Sequence, residues 1–379
     1  MLDHLEPSRP GPPLAPANPG GLCHLDSDQF GRHRNKPRFG LRRRGSTPAS
    51  DSRWSKATGA RRAGQTWQMN EDPLVGALAE VGRRYGGSDA EPVPVEQRGS
   101  RPGPGAVLVR CGPVVVKAHA VGTDPKALAA RLAAAAGSAL SHVLLTPLEP
   151  GLIVVRERLV SVWPYGRTVT VDPARVPWAE AGTLLARLHT AALRELAGLP
   201  TCGAPGRLAS VVQALRARSP EGAHDAASTV VAAWRALPAW ARRGGPVPGP
   251  VAVVHGDWHL GQLVSLEDTG WRLIDIDDLG IGAPVWDFAR LAALRALEVV
   301  REDEFRWFLD AYWVAGGPVL CPGSGTTGDP NGWATLDQVA RAAVVAMAAK
   351  RLAYPGRELP DALDEDLLRV CARLAEAAA

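Results

Sequence analysis

Cysteine is scarce in this 379-residue sequence, and the patterns typical of exported or membrane-spanning proteins are missing. The five cysteines are scattered without C-x-x-C spacing, which argues against a zinc site or a disulfide framework and fits a reducing cytoplasm. No run of about 18 uncharged apolar residues occurs, so no transmembrane span is predicted. The N-terminus also lacks the apolar segment of a secretory signal. We therefore expect a cytoplasmic protein with no membrane partner.

The net positive charge of the chain comes from its first 68 residues. They hold twelve Lys and Arg against five Asp and Glu, a net charge of +7, whereas the remainder sums to −3. This stretch is rich in Pro, Gly, Arg and Ser, and it has too little apolar surface to offset chain entropy, so it is predicted to be disordered. Arg42–Arg44 is interpreted as a solvated run, and no nucleic-acid partner is expected.

The character of the sequence changes at Met69. We expect Met69 to be the true or an alternative start, which N-terminal peptide analysis of the native protein would test. With 379 residues, 46% of them apolar, the chain is long enough to form two globular units. Asp72-Pro73 then predicts a capped helix that ends at Gly86-Gly87.

Short β-type runs at residues 93–96, 106–110 and 114–118 follow this helix. The Gly-rich loop around Gly99 and Ser100 could cover phosphates, because glycine lets backbone N–H groups approach closely. The strand lysine Lys117 in Val-Val-Val-Lys matches the V-A-I-K pattern of kinases, whose lysine holds the α- and β-phosphates. The alternative is a strand-end lysine that reaches solvent.

A second capped helix is predicted from Lys126 to Ala136, after Asp124-Pro125. It offers no glutamate to pair with Lys117, so either Asp124 substitutes or bound phosphate alone orients the lysine. Strands are predicted at residues 152–155 and 159–163. They lead into a Pro-Gly connector that starts after Trp163 and whose backbone could hydrogen-bond a purine edge.

Two apolar runs, residues 253–262 and 273–278, each end in carboxylates. A polar turn at residues 267–270 separates them, so a hairpin-like element with acids at its mouth is predicted. Asp257 lies two residues after a histidine, as in kinase catalytic loops, and Gln262 occupies the place of the usual magnesium-binding asparagine. Asp275 ends the second run, where a carboxylate could bridge phosphate oxygens through a metal.

These motifs together resemble the aminoglycoside phosphotransferase and choline-kinase-like family over about residues 74–375. The resemblance is carried by the following residues: Lys117, Leu188-His189, His255-Gly256-Asp257, Ile274-Asp275 and, twelve residues after Asp275, Asp287. It implies an α+β, two-lobed protein-kinase-like fold: a disordered tail (1–68), a small β-rich nucleotide-binding lobe (69–163) and a larger, mainly helical catalytic lobe (164–379). It also implies transfer of the γ-phosphate of MgATP or MgGTP to a hydroxyl of a small molecule.

The resemblance assigns a role to each matched residue. Asp257 would be the catalytic base, and His255 and Asp287 would brace its loop. Asp275 would hold the metal, Mg²⁺, and Lys117 the phosphates of the nucleotide, ATP or GTP. Beyond the matched residues, we expect Gln262, in place of the family's asparagine, and Asp277 to contribute to the metal site. We also expect Gly99, Ser100 and Trp163 to contribute to the nucleotide site. His189 is expected to be a hydrogen-bonded core histidine.

The acceptor stays open among several alternatives. An aminoglycoside-like acceptor would need acids beyond the base, and these could be supplied by residues that equally predict a solvated helical face: Glu298, Glu302, Asp303, Glu304 and Asp310. The His259–Gln262 segment also resembles that of maltokinase-like enzymes, which keeps a sugar acceptor open. A nucleotide-binding regulatory module without turnover is the third alternative.

Overall fold

The structure, a computed structural model, describes most of the chain from Asp72 onward. The described residues are 72–95, 105–169, 172, 175–196, 198–218, 226–243, 247, 249–267, 269–321, 329, 332–354 and 361–378. The predicted disordered tail, the proposed start at Met69 and the loop residues Gly99 and Ser100 lie outside these ranges.

A five-stranded antiparallel sheet forms the first part of the described chain. Its spatial order is β1-β2-β3-β5-β4. The strands are β1 (Pro92–Pro94), β2 (Val107–Cys111), β3 (Val114–Ala118), β4 (Ile153–Val155) and β5 (Arg158–Pro164). Helix α1 (Pro73–Gly86) packs on this sheet through Leu78 and Val81, so one face of the sheet is buried.

Both predicted helix caps are confirmed. Asp72 begins α1 by accepting a hydrogen bond from the Leu74 amide at 2.8 Å. Asp124 does the same for helix α2 (Pro125–Ala136), accepting from the Lys126 amide at 2.9 Å. A side-chain acceptor here satisfies one of the amide groups that a helix start leaves unpaired. The carboxylate of Asp124 is thereby engaged within its own helix.

The second part of the described chain is mainly helical. Its helices are α3 (Trp178–His189), α4 (Ala204–Arg218), α5 (Ala226–Ala236), α6 (Ala239–Arg243), α7 (Ala289–Ala296), α8 (Glu302–Val314), α9 (Trp333–Ala353) and α10 (Asp361–Glu376). Helices α3 and α8 pack closely, because a Cβ at Gly182 would lie 2.2 Å from the Phe308 carbonyl oxygen. Within the described residues, no helix has the length and apolar character needed to cross a membrane.

Short strands carry the acid-bearing segments and differ from the predicted hairpin. Strands β8 (Leu263–Leu266) and β9 (Gly270–Leu273) form a hairpin beside β6 (Arg167–Thr168). The strand before Asp257, β7 (Ala252–Val254), pairs instead with β10 (Gly280–Gly282). The prediction of a hairpin between residues 253–262 and 273–278 was therefore wrong in its first strand, because β7 finds its backbone partner beyond the acids.

The helix that follows the acidic segment is short. A 3₁₀ turn, Pro284–Phe288, precedes the eight-residue helix α7. Glu298, just past its end, has a left-handed φ of 57°, and the Val299 amide returns to the Leu294 carbonyl oxygen at 2.9 Å. The chain therefore turns here instead of continuing as one long helix.

Candidate active site

Strand β7 delivers the loop His255–Asp257 to the centre of the site. Gly256 has φ +80°, and a Cβ there would lie 2.4 Å from the Asp278 carbonyl oxygen. A side chain at this position would be strained in conformation and would also clash. Glycine is therefore required at position 256 for the chain to turn after β7 and to place Asp257 where it is observed.

Asp287 holds the loop through hydrogen bonds, which is the role that the resemblance implies for it. Its two carboxylate oxygens accept hydrogen bonds from the backbone amides of His255 and Gly256, both at 2.7 Å. The Nε2 of His189 donates to the same carboxylate at 3.1 Å. Because Asp287 is 1% exposed, these three donors replace the water that a buried carboxylate needs.

His189 extends this brace to helix α8. Its Nδ1 lies 2.9 Å from the Tyr312 hydroxyl, which in turn accepts from the Val319 amide at 3.3 Å. Burial raises the pKa of Tyr312 well above its ordinary value, so the phenol keeps its proton and donates it to His189. The expectation of a hydrogen-bonded core histidine is confirmed.

His255 links the loop to the acidic segment. Its Nε2 lies 2.8 Å from the Ile274 carbonyl oxygen, and its Nδ1 lies 3.3 Å from the Asp257 amide nitrogen. A carbonyl only accepts and an amide N–H only donates, so the ring proton sits on Nε2. The imidazole thus fixes Asp257 relative to the segment after β9 that carries Asp275.

Lys117, on β3, meets two carboxylates of that segment. Its Nζ lies 2.7 Å from Asp275 and 2.9 Å from Asp277. Burial alone would lower the pKa of Lys117, but the two carboxylates more than reverse this and hold the pKa above its ordinary value. The expectation that Asp124 or phosphate alone orients the lysine was wrong, because the acidic segment itself supplies the partners.

The backbone at Asp275 is held in an uncommon conformation. Its φ is 65°, in the left-handed region, which non-glycine residues adopt mainly where the surrounding structure imposes it. The second oxygen of this carboxylate lies 3.4 Å from the Gln262 amide nitrogen. The structure therefore brings together Lys117, Gln262, Asp275 and Asp277, the predicted phosphate and metal residues.

The donor chemistry of this group suits Mg²⁺. Two carboxylates and one amide carbonyl are oxygen donors of the kind that magnesium takes alongside waters and substrate phosphates. Within the part of the chain that the structure describes, no group of three or more His, Cys, Asp or Glu side chains is arranged to hold a metal.

His119 is a site residue that sequence reasoning missed. Its Nδ1 lies 2.9 Å from Asp277, and its Nε2 lies 2.7 Å from the Ser161 hydroxyl. The Trp163 indole donates to the same hydroxyl at 2.8 Å, so a buried hydrogen-bonded chain runs from the predicted connector to the acids. The available signal was its spacing: His119 follows Lys117 by two residues, and alternate residues of a strand face the same side.

Arg207, on α4, was also missed. Its guanidinium lies 3.0 Å from one oxygen of Asp257 and also pairs with Asp278 and with the Gly256 carbonyl oxygen. Burial raises the pKa of Asp278 above its ordinary value, and the charge of Arg207 opposes that rise. Arg207 therefore links Asp257, the backbone of its loop and Asp278, and no local sequence pattern predicts this role.

Three of the acids considered for a cationic acceptor are engaged near the start of α8. Glu304, 1% exposed, accepts from the Arg301 amide at 2.8 Å and so caps the helix. Asp303 pairs with the Arg301 side chain, and Glu302 pairs with Arg295. Glu302 and Asp303 are exposed, as the solvated-face alternative expects, whereas Glu304 is buried as a cap of the helix start.

Comparison with known proteins identifies the family. The model of the phosphotransferase enzyme family matches residues 106–320, more than half of the chain. The chain belongs to this family. The resemblance noted in the sequence is confirmed, as is the expectation of an enzyme that transfers a phosphoryl group. No curated protein sequence matches this phosphotransferase.

Solved structures resemble the phosphotransferase at low identity. The apo form of a thermostable mutant of aminoglycoside phosphotransferase APH(4)-Ia is 14% identical, with 80% of this chain and 99% of that chain covered and a TM-score of 0.50. Spectinomycin phosphotransferase APH(9)-Ia, in complex with ADP and spectinomycin, is 13% identical (79% and 97% covered; TM-score 0.49). A choline/ethanolamine kinase family protein from Mesorhizobium loti is 18% identical (79% and 93% covered; TM-score 0.45). The expected two-lobed, protein-kinase-like α+β fold is confirmed.

Proposed function

We propose that this phosphotransferase is a small-molecule kinase that moves the γ-phosphate of MgATP or MgGTP to a hydroxyl group of its acceptor. The observation that carries the proposal is the pairing of Lys117 with Asp275 and Asp277 beside the loop that presents Asp257. A cation for phosphates, carboxylates for a metal and a carboxylate for a hydroxyl are the parts that phosphoryl transfer uses.

Lys117 would bind the nucleotide phosphates. Its ammonium stays charged, because the carboxylates beside it raise its pKa against the effect of burial. An incoming phosphate would take up donor positions that the two aspartates now occupy. The nucleotide complex of the spectinomycin enzyme supports nucleotide as the donor here, while the choice between ATP and GTP follows from none of these contacts.

Asp275, Asp277 and Gln262 would hold Mg²⁺. When bound, the ion neutralises charge on the β- and γ-phosphate oxygens. The protein's own task is to keep the oxygen donors converging, which it does through the left-handed backbone at Asp275 and the hydrogen bond from His119 to Asp277. Gln262 contributes an amide on an arm one methylene longer than asparagine.

Asp257 would act on the acceptor. Arg207 and His255 hold it, and within the described residues its Oδ1 has no hydrogen-bond partner, so that oxygen is open to an acceptor hydroxyl. As the acceptor oxygen bonds to the γ-phosphorus, the bond from phosphorus to the β–γ bridging oxygen breaks and its electron pair leaves with the nucleoside diphosphate. The hydroxyl proton passes to Asp257.

The names of the similar structures suggest several acceptor classes. Antibiotic phosphotransferases and a choline/ethanolamine kinase family protein occur among them, so aminoglycoside-like and amino-alcohol acceptors enter the proposal. A sugar acceptor enters through the resemblance of the His259–Gln262 segment to maltokinase-like enzymes. A regulatory module without turnover is the alternative from another class, and Gln262 in place of asparagine motivates it. Convergence of Lys117, Asp257 and Asp275 favours the enzyme, because a scaffold without turnover has no physical need for these three charges together.

A turnover panel tests the proposal. Nucleoside diphosphate release and acceptor phosphorylation would be measured with MgATP and MgGTP across aminoglycosides, sugars, hydroxy acids and choline-like alcohols. The proposal predicts Mg²⁺-dependent product with at least one acceptor, and its loss in Asp275→Asn but not in the control Asp89→Asn at an exposed position. Tight nucleotide binding with no product from any acceptor would instead favour the regulatory alternative.

A further inference from the structure

Lys117 is oriented without the helix glutamate that usually pairs with such a lysine. In kinases with the V-A-I-K strand, a glutamate of the following helix contacts the lysine and must be in place for activity. In this chain no Asp or Glu occurs between Asp124 and Glu149, and Asp124 is engaged as the cap of α2. The task of the glutamate therefore falls to another part of the chain.

The carboxylate of Asp277 is held between two different partners. Its Oδ2 lies 2.9 Å from Nζ of Lys117, and its Oδ1 lies 2.9 Å from Nδ1 of His119. Asp275 also contacts the ammonium, at 2.7 Å, but its second oxygen makes a longer contact of 3.4 Å with the amide nitrogen of Gln262. Of the two carboxylates beside the lysine, Asp277 thus has the closer second anchor.

The backbone and the side chain of His119 are both fixed. Its amide donates to the Leu159 carbonyl oxygen at 2.8 Å, and its own carbonyl oxygen accepts from Nε of Arg158 at 2.9 Å. The imidazole is fully buried. Because the backbone is paired on both sides and the ring has no access to solvent, His119 presents a fixed donor to Asp277.

Ser161 and Trp163 determine which nitrogen of His119 carries the proton. The indole N–H of Trp163 only donates, so it occupies a lone pair of the Ser161 hydroxyl at 2.8 Å. Within the described residues, the other hydrogen-bond partner of this buried hydroxyl is Nε2 of His119 at 2.7 Å, which therefore accepts the hydroxyl proton. The proton of the imidazole then lies on Nδ1, from which it is donated to Asp277.

We propose that His119 is a positioning residue of the phosphate site: its Nδ1–H holds Asp277 against Lys117 and so replaces the glutamate that α2 lacks. The inference rests on the proposed function and adds His119 to it as the residue that orients the phosphate-binding lysine. A carboxylate oxygen accepts more than one contact, so Asp277 can orient Lys117 and still take part in the metal site. Without His119 the carboxylate would be free to rotate away from the ammonium.

A double-mutant cycle on nucleotide affinity tests this role. The affinity of the full chain for MgADP and for MgGDP would be measured by calorimetry in wild type, His119→Leu, Asp277→Asn and the double variant. We expect His119→Leu to weaken binding by about tenfold, the scale of one hydrogen bond to a charged group. In the Asp277→Asn background it should cost little more, because its effect passes through that carboxylate, whereas a merely structural histidine would give additive losses.

A conservative variant and a control make the test specific. His119→Asn places an amide N–H near the position of Nδ1–H and should recover most of the affinity. The control His142→Leu, at an exposed position, should bind nucleotide as wild type does. Nitrogen-15 NMR of labelled histidine should show the proton of His119 on Nδ1, opposite to that of His255, with the His119 signals identified by their loss in His119→Leu.

Several results would overturn the inference. They are additive losses in the cycle, no loss of affinity in His119→Leu, equally weak binding in His119→Asn and His119→Leu, or a proton on Nε2 of His119. Failure of the proposed function would show differently, as a wild type that binds nucleotide but transfers no phosphoryl group to any acceptor. The cycle and the NMR pattern would still decide the role of His119 in that case.

Discussion

The ammonium of Lys117 lies 2.7 Å from Asp275, although 158 residues separate the two along the chain. This contact joins strand β3 of the five-stranded sheet to the acidic segment that follows β9. Asp277 completes the arrangement at 2.9 Å, so the lysine is oriented without a glutamate from α2. The pair fixes where nucleotide phosphates would bind relative to Asp257.

Replacing Lys117 should weaken nucleotide binding. Lys117→Met removes the phosphate-binding charge, and we expect the nucleotide KM to rise at least about tenfold, the cost of a lost charge-assisted hydrogen bond. Steady-state kinetics with varied nucleotide would measure it. The matched control is Lys126→Met on the exposed start of α2, and an equal KM in the two variants would contradict the assignment.

The ion pairs of Asp277 predict a specific dependence of stability on pH. Burial raises the pKa of Asp277, but Lys117 and His119 outweigh it and hold the pKa below its ordinary value. A carboxylate with a depressed folded-state pKa stabilises above its unfolded-state pKa, about 3.9, and loses that contribution as the pH falls. Urea denaturation should therefore show wild type more stable than Asp277→Asn at pH 7, with the gap in unfolding free energy shrinking below about pH 4. A gap that stays constant or widens on acidification would refute the pairing.

Asp287 should control the protection of two particular amides. In Asp287→Ala the backbone N–H groups of His255 and Gly256 lose their acceptor, and each unsatisfied buried group costs about 1–3 kcal/mol. Hydrogen exchange of these amides should accelerate together with a fall in stability. Asp303→Ala, which breaks an exposed pair, is the control and should leave both amides protected. If the His255 and Gly256 amides exchanged at the wild-type rate in Asp287→Ala, Asp287 would not be what holds the loop.

Gly256 provides a test of the loop geometry. Gly256→Ala adds a Cβ 2.4 Å from the Asp278 carbonyl oxygen at a φ of +80°, so we expect lower stability and a displaced Asp257. Gly270→Ala has a similar φ of +73° but open space around it, and it separates conformational strain from the clash. Turnover should fall much further in Gly256→Ala, and equal effects would show that the close approach to Asp278 is unimportant.

Local chemistry explains what the sequence could predict. Asp72 and Asp124 cap helices through hydrogen bonds to amides two residues away, so their roles depend on neighbours in the chain. The strand lysine and the acids were found because each ends an apolar run. The loop around Gly99 and Ser100, by contrast, stays a prediction.

Contacts between distant segments explain what the sequence could not. Arg207 reaches Asp278 across 71 residues, and nothing in the periodicity of α4 distinguishes it from a solvated arginine. The pairing of β7 with β10 was missed for the same reason, since β8 and β9 offered an equally good local hairpin. A contact between segments distant in sequence does not change the apolar periodicity of either segment, so the sequence pattern does not predict it.

A rapid-quench single-turnover measurement tests most directly whether Asp257 receives the acceptor's proton. Enzyme in excess over MgATP or MgGTP would be mixed with the acceptor found by the panel, and formation of the phosphorylated product would be timed. Asp257→Asn keeps the shape but removes the base, so we predict a transfer rate at least about 10²-fold slower with unchanged nucleotide affinity. The control Asp89→Asn, at an exposed position, should transfer at the wild-type rate. A transfer rate in Asp257→Asn equal to that of wild type would contradict the account.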